Sequence, residues 1–443
     1  MMQREIVFFA LSITIVLSAC DIESDYTGVE HDQAYLHQSM QALTDVIVHD
    51  IFSPPVASRI YAYPSIAAYE VMASGNQNLK SLVGQLHDLD SLPLPQTGKV
   101  YSLPLAAVYA FLETGKALIF SETQIQEFET ELLKRMKAEG IPESIYERSL
   151  DYGKQVSDHI LAWADRDLYK ETRTFPKYRI SQEKDKWQPT PPDYMDGIEP
   201  HWRKIRPFVI DSPNQFIPLP PTEFSTDTNS QFYKEAIVVY DAIAHGTHET
   251  IEVAKFWDCN PFVSQHRGHV MIATKKITPG GHWIGITAQS CRLMNVDFEH
   301  AAEAYTRVSI ALADAFISCW DEKYRSNLVR PETYINKYID PDWKPTLQTP
   351  PFPEHTSGHS VISAAAGEIL TDLFGDNFSY TDSVELEFGL PVRSFNSFEE
   401  AYREAAISRL YGGIHYMPAI EYGVDQGKMV GAFIIENLVT AKN

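Results

Sequence analysis

Seven residues in the last third of the chain have types and spacings that could do chemistry together: Lys323 and Arg330, then Ser357, Gly358 and His359, then Arg409 and His415. Two guanidinium forks match the oxygens of a small tetrahedral anion, and an ammonium adds a point charge. A helix that opens with Ser-Gly adds free backbone N–H groups, a hydroxyl and the positive end of the dipole. One histidine could then bond the central atom while the other moves protons. Together the set suits binding and activation of a tetrahedral oxyanion. Taken one at a time, the parts also read as dipole-complementing cations, a capped helix and a structural turn.

The elements that must position these groups can be read locally. Residues 298–330 show one long helical pattern ending at Arg330-Pro331. Lys323 and Arg330 then fall two turns apart on one face, with Trp320 a turn before Lys323. Prolines keep the 350–353 approach extended, Ser357 is placed as an N-cap, and Gly375 closes the helix after Phe374. His355 precedes that cap, so His355 and His359 make a poor i,i+4 zinc pair. A third helix carries Arg409 and ends at Gly412-Gly413, and a new one begins near Pro418. Arg409 and His415 thus flank a break between helix ends.

Apolar residues recur at three- and four-residue spacing over 35–51, 64–74, 103–120, 122–139 and 143–164. The same spacing returns over 229–243, 247–258, 298–328, 358–374, 398–411 and 417–440. Sustained alternation is nearly absent, so the fold class is all-α, a helical bundle with its site between helix ends in the C-terminal half. Ten of the 27 prolines lie between Pro176 and Pro221, interleaved with Trp187 and Trp202. That stretch cannot be a long helix and is expected as an ordered wrap over one helical domain spanning 31–443, with the anion-binding bundle over about 229–440.

The chain has 443 residues, with 37 basic against 59 acidic side chains and a net charge of −22. So acidic a surface repels phosphate backbones, which excludes general nucleic-acid binding and makes a local cluster of cations the more informative. At the start, Arg4 leads into an apolar run from Val7 to Leu17, too short to span a bilayer. Leu17-Ser18-Ala19-Cys20 follows and looks like a lipobox. Residues 1–19 are therefore expected to be a lipoprotein signal peptide, with Cys20 lipidated and 20–30 a tether. The expected location is the periplasmic face of a membrane or the cell surface, and the lipid is the only membrane contact expected. Cys259, Cys291 and Cys319 show no paired spacing, and packed thiols are the plain reading for Cys291 and Cys319.

In their order and spacing, Lys323-x6-Arg330-Pro331, Ser357-Gly358-His359 and Ser408-Arg409-x5-His415 resemble the three-part signature of vanadium-dependent haloperoxidases and type 2 phosphatidic acid phosphatases. The likeness covers the second half of the chain. The lipoprotein start, the Trp320–Lys323 spacing, Phe352 and the 408–415 stretch are most similar to iodoperoxidases of marine Bacteroidetes. The resemblance implies that Lys323, Arg330, Ser357, Gly358 and Arg409 hold the oxygens of vanadate or phosphate. His415 would be the vanadium ligand or phosphoryl nucleophile, and His359 the acid/base. In the peroxidase, hydrogen peroxide and a halide are the substrates, iodide above bromide, with hypohalous acid as product and small organic acceptors possible. Lys323 would polarise the bound peroxide.

Two features bear on the choice. The phosphatase signature continues His-x3-Asp, whereas this chain has Ala419, with Glu421 and Asp425 out of register. A histidine without that carboxylate is a poorer phosphoryl nucleophile but can still ligate vanadium. Phe352 and Trp320 would wall the peroxide with apolar surface. Asp321 and Asp258 are candidate supporting carboxylates, and Phe262 a candidate cleft aromatic. A soluble acid phosphatase acting through a phosphohistidine remains the alternative, and a non-catalytic oxyanion-binding lipoprotein a third reading.

Overall fold

The structure is a computed structural model that describes residues 32–267, 270–273 and 275–441. The signal segment 1–19, the tether 20–30 and Cys20 lie outside the described residues.

The N-terminal half stacks α1 (Ala34–His49), α2 (Pro54–Gly75), α3 (Leu103–Lys116), α4 (Glu122–Ala138) and α5 (Glu143–Ala164), with one further turn, α6 (Tyr169–Thr172). α2 begins at Pro54, well before the expected Pro64, because Pro54 and Pro55 occupy first-turn positions where a missing N–H costs nothing. Pro64 sits inside the helix instead. The lost hydrogen bond is tolerated because every residue from Pro54 to Ala73 is buried, against α3, α5 and the long helix α10.

The C-terminal half comprises α7 (Gln231–Ala244), α8 (His248–Phe256), α9 (Pro279–Met294), α10 (Phe298–Ser326), α11 (Pro331–Tyr338), α12 (Gly358–Phe374), α13 (Phe398–Tyr411) and α14 (Met417–Asn437). Helix α10 is buried from Ala301 to Lys323 and packs against α2, α9, α12 and α14. It does not continue to Arg330 as expected. Asn327 takes a left-handed φ of 51° and donates its N–H to the Lys323 carbonyl at 2.9 Å, which ends the helix. Arg330 is instead the extended cap residue before α11, with Pro331 in the first turn. The chain therefore turns between Lys323 and Arg330, and the two cations do not share a helix face.

α9 and α11 lie where periodicity marks no helix. α9 starts at Pro279-Gly280-Gly281, which reads as a breaker, yet Thr278 Oγ1 accepts the Gly281 N–H at 3.0 Å and caps it. Among the described residues, the departures from all-α are two antiparallel ribbons. One pairs β1 (Ser264–Arg267) with β2 (Val270–Ala273); the other pairs β3 (Tyr380–Asp382) with β4 (Arg393–Phe395), Tyr380 opposite Phe395. The proline-rich segment is pinned by its backbone. The N–H groups of Phe208, Val209 and Ile210 all reach the buried Asp314 carboxylate at 2.7–3.0 Å, and Ile198 N–H reaches the Pro351 carbonyl at 3.0 Å. Among the described residues no helix is long and apolar enough to cross a membrane, and Cys259, Cys291 and Cys319 are buried and unbridged.

Candidate active site

Three chain segments meet at one narrow pocket: the start of α12, the α13–α14 junction and the loop after α8. Gly358, His359, Arg409 and His415 line it, with Trp320, Phe352, Phe262 and Cys259 around them. The α12 terminus forms as its sequence indicates: Ser357 Oγ accepts the Ser360 N–H at 3.3 Å and Gly375 ends the helix. Ser357 N–H donates to the Ala419 carbonyl at 2.9 Å, tying the cap to α14. The Gly358 and His359 N–H groups, first in the helix, have no intrahelical acceptor.

His415 is the best-defined group. Its Nδ1 lies 2.9 Å from Glu354 Oε1, which also accepts the Tyr416 N–H at 2.9 Å, while its Nε2 lies 3.1 Å from Arg330 Nη1. An acceptor on one side and a donor on the other place the proton on Nδ1 and leave Nε2 unprotonated, its lone pair accepting from Arg330. Burial, with Arg330, Lys323 and Arg409 close by, holds His415 well below the ordinary histidine value, so the ring is neutral. Burial pushes Glu354 up to about 7, against the pull of Arg330.

Glu354 was not identifiable as a site residue from spacing. The carboxylate missing at Ala419 comes from 61 residues before His415. Its signal was being the lone charged residue in an otherwise apolar, proline-rich approach to Ser-Gly-His.

Both arginines are fully buried and only partly engaged. Arg330 Nε donates to the Phe352 carbonyl at 2.8 Å and Nη1 to the Ile414 carbonyl at 2.9 Å, and Nη2 has no partner. Arg409 Nη1 donates to the Trp257 carbonyl at 2.5 Å, Asp258 stands 3.9 Å from Nη2, and Nε has no partner. Burial lowers both, Arg330 to about 10. His359 Nε2 is likewise buried without a partner, and burial beside Arg409 keeps that ring neutral, well below its usual value.

Lys323 differs from expectation. Its ammonium donates to the carbonyls of Pro353, Glu354 and Thr356 at 3.1, 3.1 and 2.5 Å, so all three N–H bonds hold the loop before Ser357. Burial pushes it down to about 7. In this geometry it braces the cradle from beneath and does not face into the pocket.

Trp320 and Phe352 do form one wall, with ring centroids 5.0 Å apart, and both stand near the Lys323 ammonium. Asp321, expected to support the pocket, has its carboxylate paired with Arg325 at 3.2 Å and Arg203 at 3.5 Å. Asp258 does approach Arg409, and it also bonds Lys276 at 2.5 Å. His355 points away, its Nε2 lying 3.0 Å from the Leu219 carbonyl.

Buried, unpartnered arginine donors beside one unprotonated imidazole nitrogen fit a small tetrahedral oxyanion such as vanadate. Buried N–H groups rarely go unpaired, and two such cationic donors stand near His415, where an anion would complete them.

The family model described as the VCPO second helical-bundle domain matches residues 303–441, the part that carries every signature residue. No protein of curated function matches the chain. The crystal structures of a bacterial vanadium-dependent chloroperoxidase, in holo and apo forms, superpose with TM-scores of 0.66 at 17% identity. They cover 88% and 87% of this chain, and 93% and 94% of theirs, and show a shared fold. The crystal structure of the first bacterial vanadium-dependent iodoperoxidase superposes with a TM-score of 0.89 at 52% identity, covering 93% of this chain and 98% of that one. Likeness at that level over nearly the full length places this chain in the vanadium-dependent haloperoxidase family.

Proposed function

We propose that the protein is an exported lipoprotein that oxidises iodide with hydrogen peroxide to hypoiodous acid, using vanadate held between α12, α13 and the start of α11. The observation that carries the reading is that Arg330 Nη2, Arg409 Nε and His359 Nε2 are buried without partners beside His415, whose unprotonated Nε2 is met by Arg330 Nη1. Iodide is favoured by the 52%-identical iodoperoxidase, and lipidation at Cys20 by the Leu17–Cys20 motif.

Arg330, Arg409 and the α12 N-terminus would hold the anion's oxygens, and His415 Nε2 would bond the metal. Bound vanadate supplies Lewis-acid activation of peroxide at constant oxidation state. Glu354 keeps the proton on His415 Nδ1, so that Nε2 stays available. His359 Nε2 faces the pocket as a neutral base able to take a proton from an incoming peroxide and return it. Lys323 stiffens residues 353–356 and so fixes the cradle. Trp320 and Phe352 exclude water, which strengthens each of these interactions.

One observation favours a second reading. Glu354 restores to His415 the carboxylate partner that a phosphohistidine mechanism needs. Both are tested by titrating orthovanadate into metal-free protein and following peroxide-dependent triiodide formation, with a phosphate monoester run in parallel. Saturable iodide oxidation, restored by vanadate and competed by phosphate, is the expected result. Phosphate release that vanadate inhibits, without iodide oxidation, would replace the peroxidase by the phosphatase.

A further inference from the structure

Behind the anion pocket lies a second convergence of side chains that the halide chemistry does not use. Cys259, His282 and Glu385 come from three separate places: the loop after α8, the first turn of α9, and the 3-10 segment Val384–Phe388 after β3. All three are buried. The Cys259 Sγ to His282 Nδ1 distance is 3.4 Å, Sγ to Glu385 Oε1 is 3.6 Å, and Nδ1 to Oε1 is 3.3 Å. A tetrahedral ion with bonds of about 2.0–2.3 Å sets its ligand atoms about 3.3–3.8 Å apart, so the three donor atoms already stand at tetrahedral edge lengths.

The surroundings fit as well. The other ring nitrogen of His282, Nε2, lies 2.7 Å from Asp382 Oδ2, and both side chains are fully buried. That is the carboxylate–imidazole arrangement by which proteins orient a metal-ligating histidine. Trp257 stacks on the His282 ring at 4.7 Å and fixes its plane. A surface cavity lined by Asp258, Glu385, Glu387 and three lysines borders the glutamate on its outer side.

We propose that Cys259, His282 and Glu385 form a structural site for a zinc-class divalent cation, oriented by Asp382. On binding, the Cys259 thiol and the His282 Nδ1–H each lose a proton to solvent, and His282 keeps its Nε2 proton on Asp382. Thiolate, imidazole and carboxylate with one open position select a tetrahedral borderline-soft ion over magnesium or calcium. The site's purpose follows from its neighbours. Trp257, two residues before Cys259, supplies the carbonyl that holds Arg409 Nη1, and Asp258 stands beside that guanidinium. A cation joining this loop to α9 and the β3 region would clamp the frame on which Arg409 is aimed.

The test uses the full chain, loaded with zinc or cobalt and freed of loose metal by gel filtration, with zinc, cobalt and vanadium counted separately by mass spectrometry. One zinc per chain is expected whether or not vanadate is present, and the cobalt form should show a thiolate-to-metal charge-transfer band. Cys259→Ser should lose both, and Asp382→Asn should weaken cobalt binding about 10–100-fold. Cobalt uptake by the unmutated chain without the charge-transfer band would overturn the proposal, as would equal zinc content in a folded Cys259→Ser variant. Neither readout depends on iodide oxidation, so this inference and the haloperoxidase reading can fail independently.

Discussion

Arg59 and Arg409 are both buried arginines, one in the N-terminal helical layer and one in the C-terminal pocket. Arg59 is answered by a carboxylate: Nε meets Asp167 at 2.6 Å, Nη2 meets the Ala164 carbonyl, and Tyr63 and Tyr169 cover the guanidinium. Burial opposes its charge, but Asp167 prevails and holds it above the ordinary arginine value. Around Arg409 burial prevails, because Asp258 stands 3.9 Å off and Nε has no partner. The difference separates two uses of a buried charge. Where a carboxylate answers the charge directly, the group belongs to the fold. Where a buried charge lines a pocket with no carboxylate in hydrogen-bond reach, the site fits an anion as its partner.

The comparison can be broken most sharply at the centre of the pocket. His415→Ala should lower vanadate-dependent turnover at least about 10³-fold, as loss of a residue that acts on the reacting centre does, while thermal unfolding shifts little. Arg59→Ala should do the reverse. It strands Asp167 and should cost about 3–5 kcal/mol in denaturant unfolding, with turnover per folded molecule unchanged.

Arg409→Ala should weaken vanadate binding and turnover about 10²–10³-fold, the scale of losing one preorganised donor, with little loss of stability. If it instead destabilises the fold as much as Arg59→Ala, the distinction between the two arginines is wrong. Glu354→Gln is the mildest probe. It keeps the shape but lets the amide face His415 Nδ1 either way, and equilibrium dialysis should show vanadate held about 10–100-fold less tightly.

Parts of this were legible without coordinates because their causes are local. The α12 terminus is legible: Ser357 caps it, prolines keep its approach extended, and Gly375 closes it. The break at Gly412-Gly413, which sets Arg409 and His415 on either side of one gap, is legible in the same way. Other local signals are ambiguous. Asn327 ends α10, but asparagine is also tolerated within helices, so a reading by period alone runs the apolar stripe on to Arg330. Pro279-Gly280-Gly281 looks like a stop, and Thr278 turns it into a start.

The sequence by itself determined the chemistry available: the order and identity of Lys323, Arg330, Ser357, Gly358, His359, Arg409 and His415, the helical class and the acidic background. Residue types and helix periodicity are properties of short segments, and they persist whatever the rest of the chain does. Only the tertiary structure decided which atoms are used. It set Lys323 beneath the cradle, brought Glu354 across 61 residues to His415, paired Asp321 with Arg325, and gathered Cys259, His282 and Glu385. Those are long-range contacts, fixed by how helices pack and how burial forces polar groups to find partners, and no local spacing encodes them.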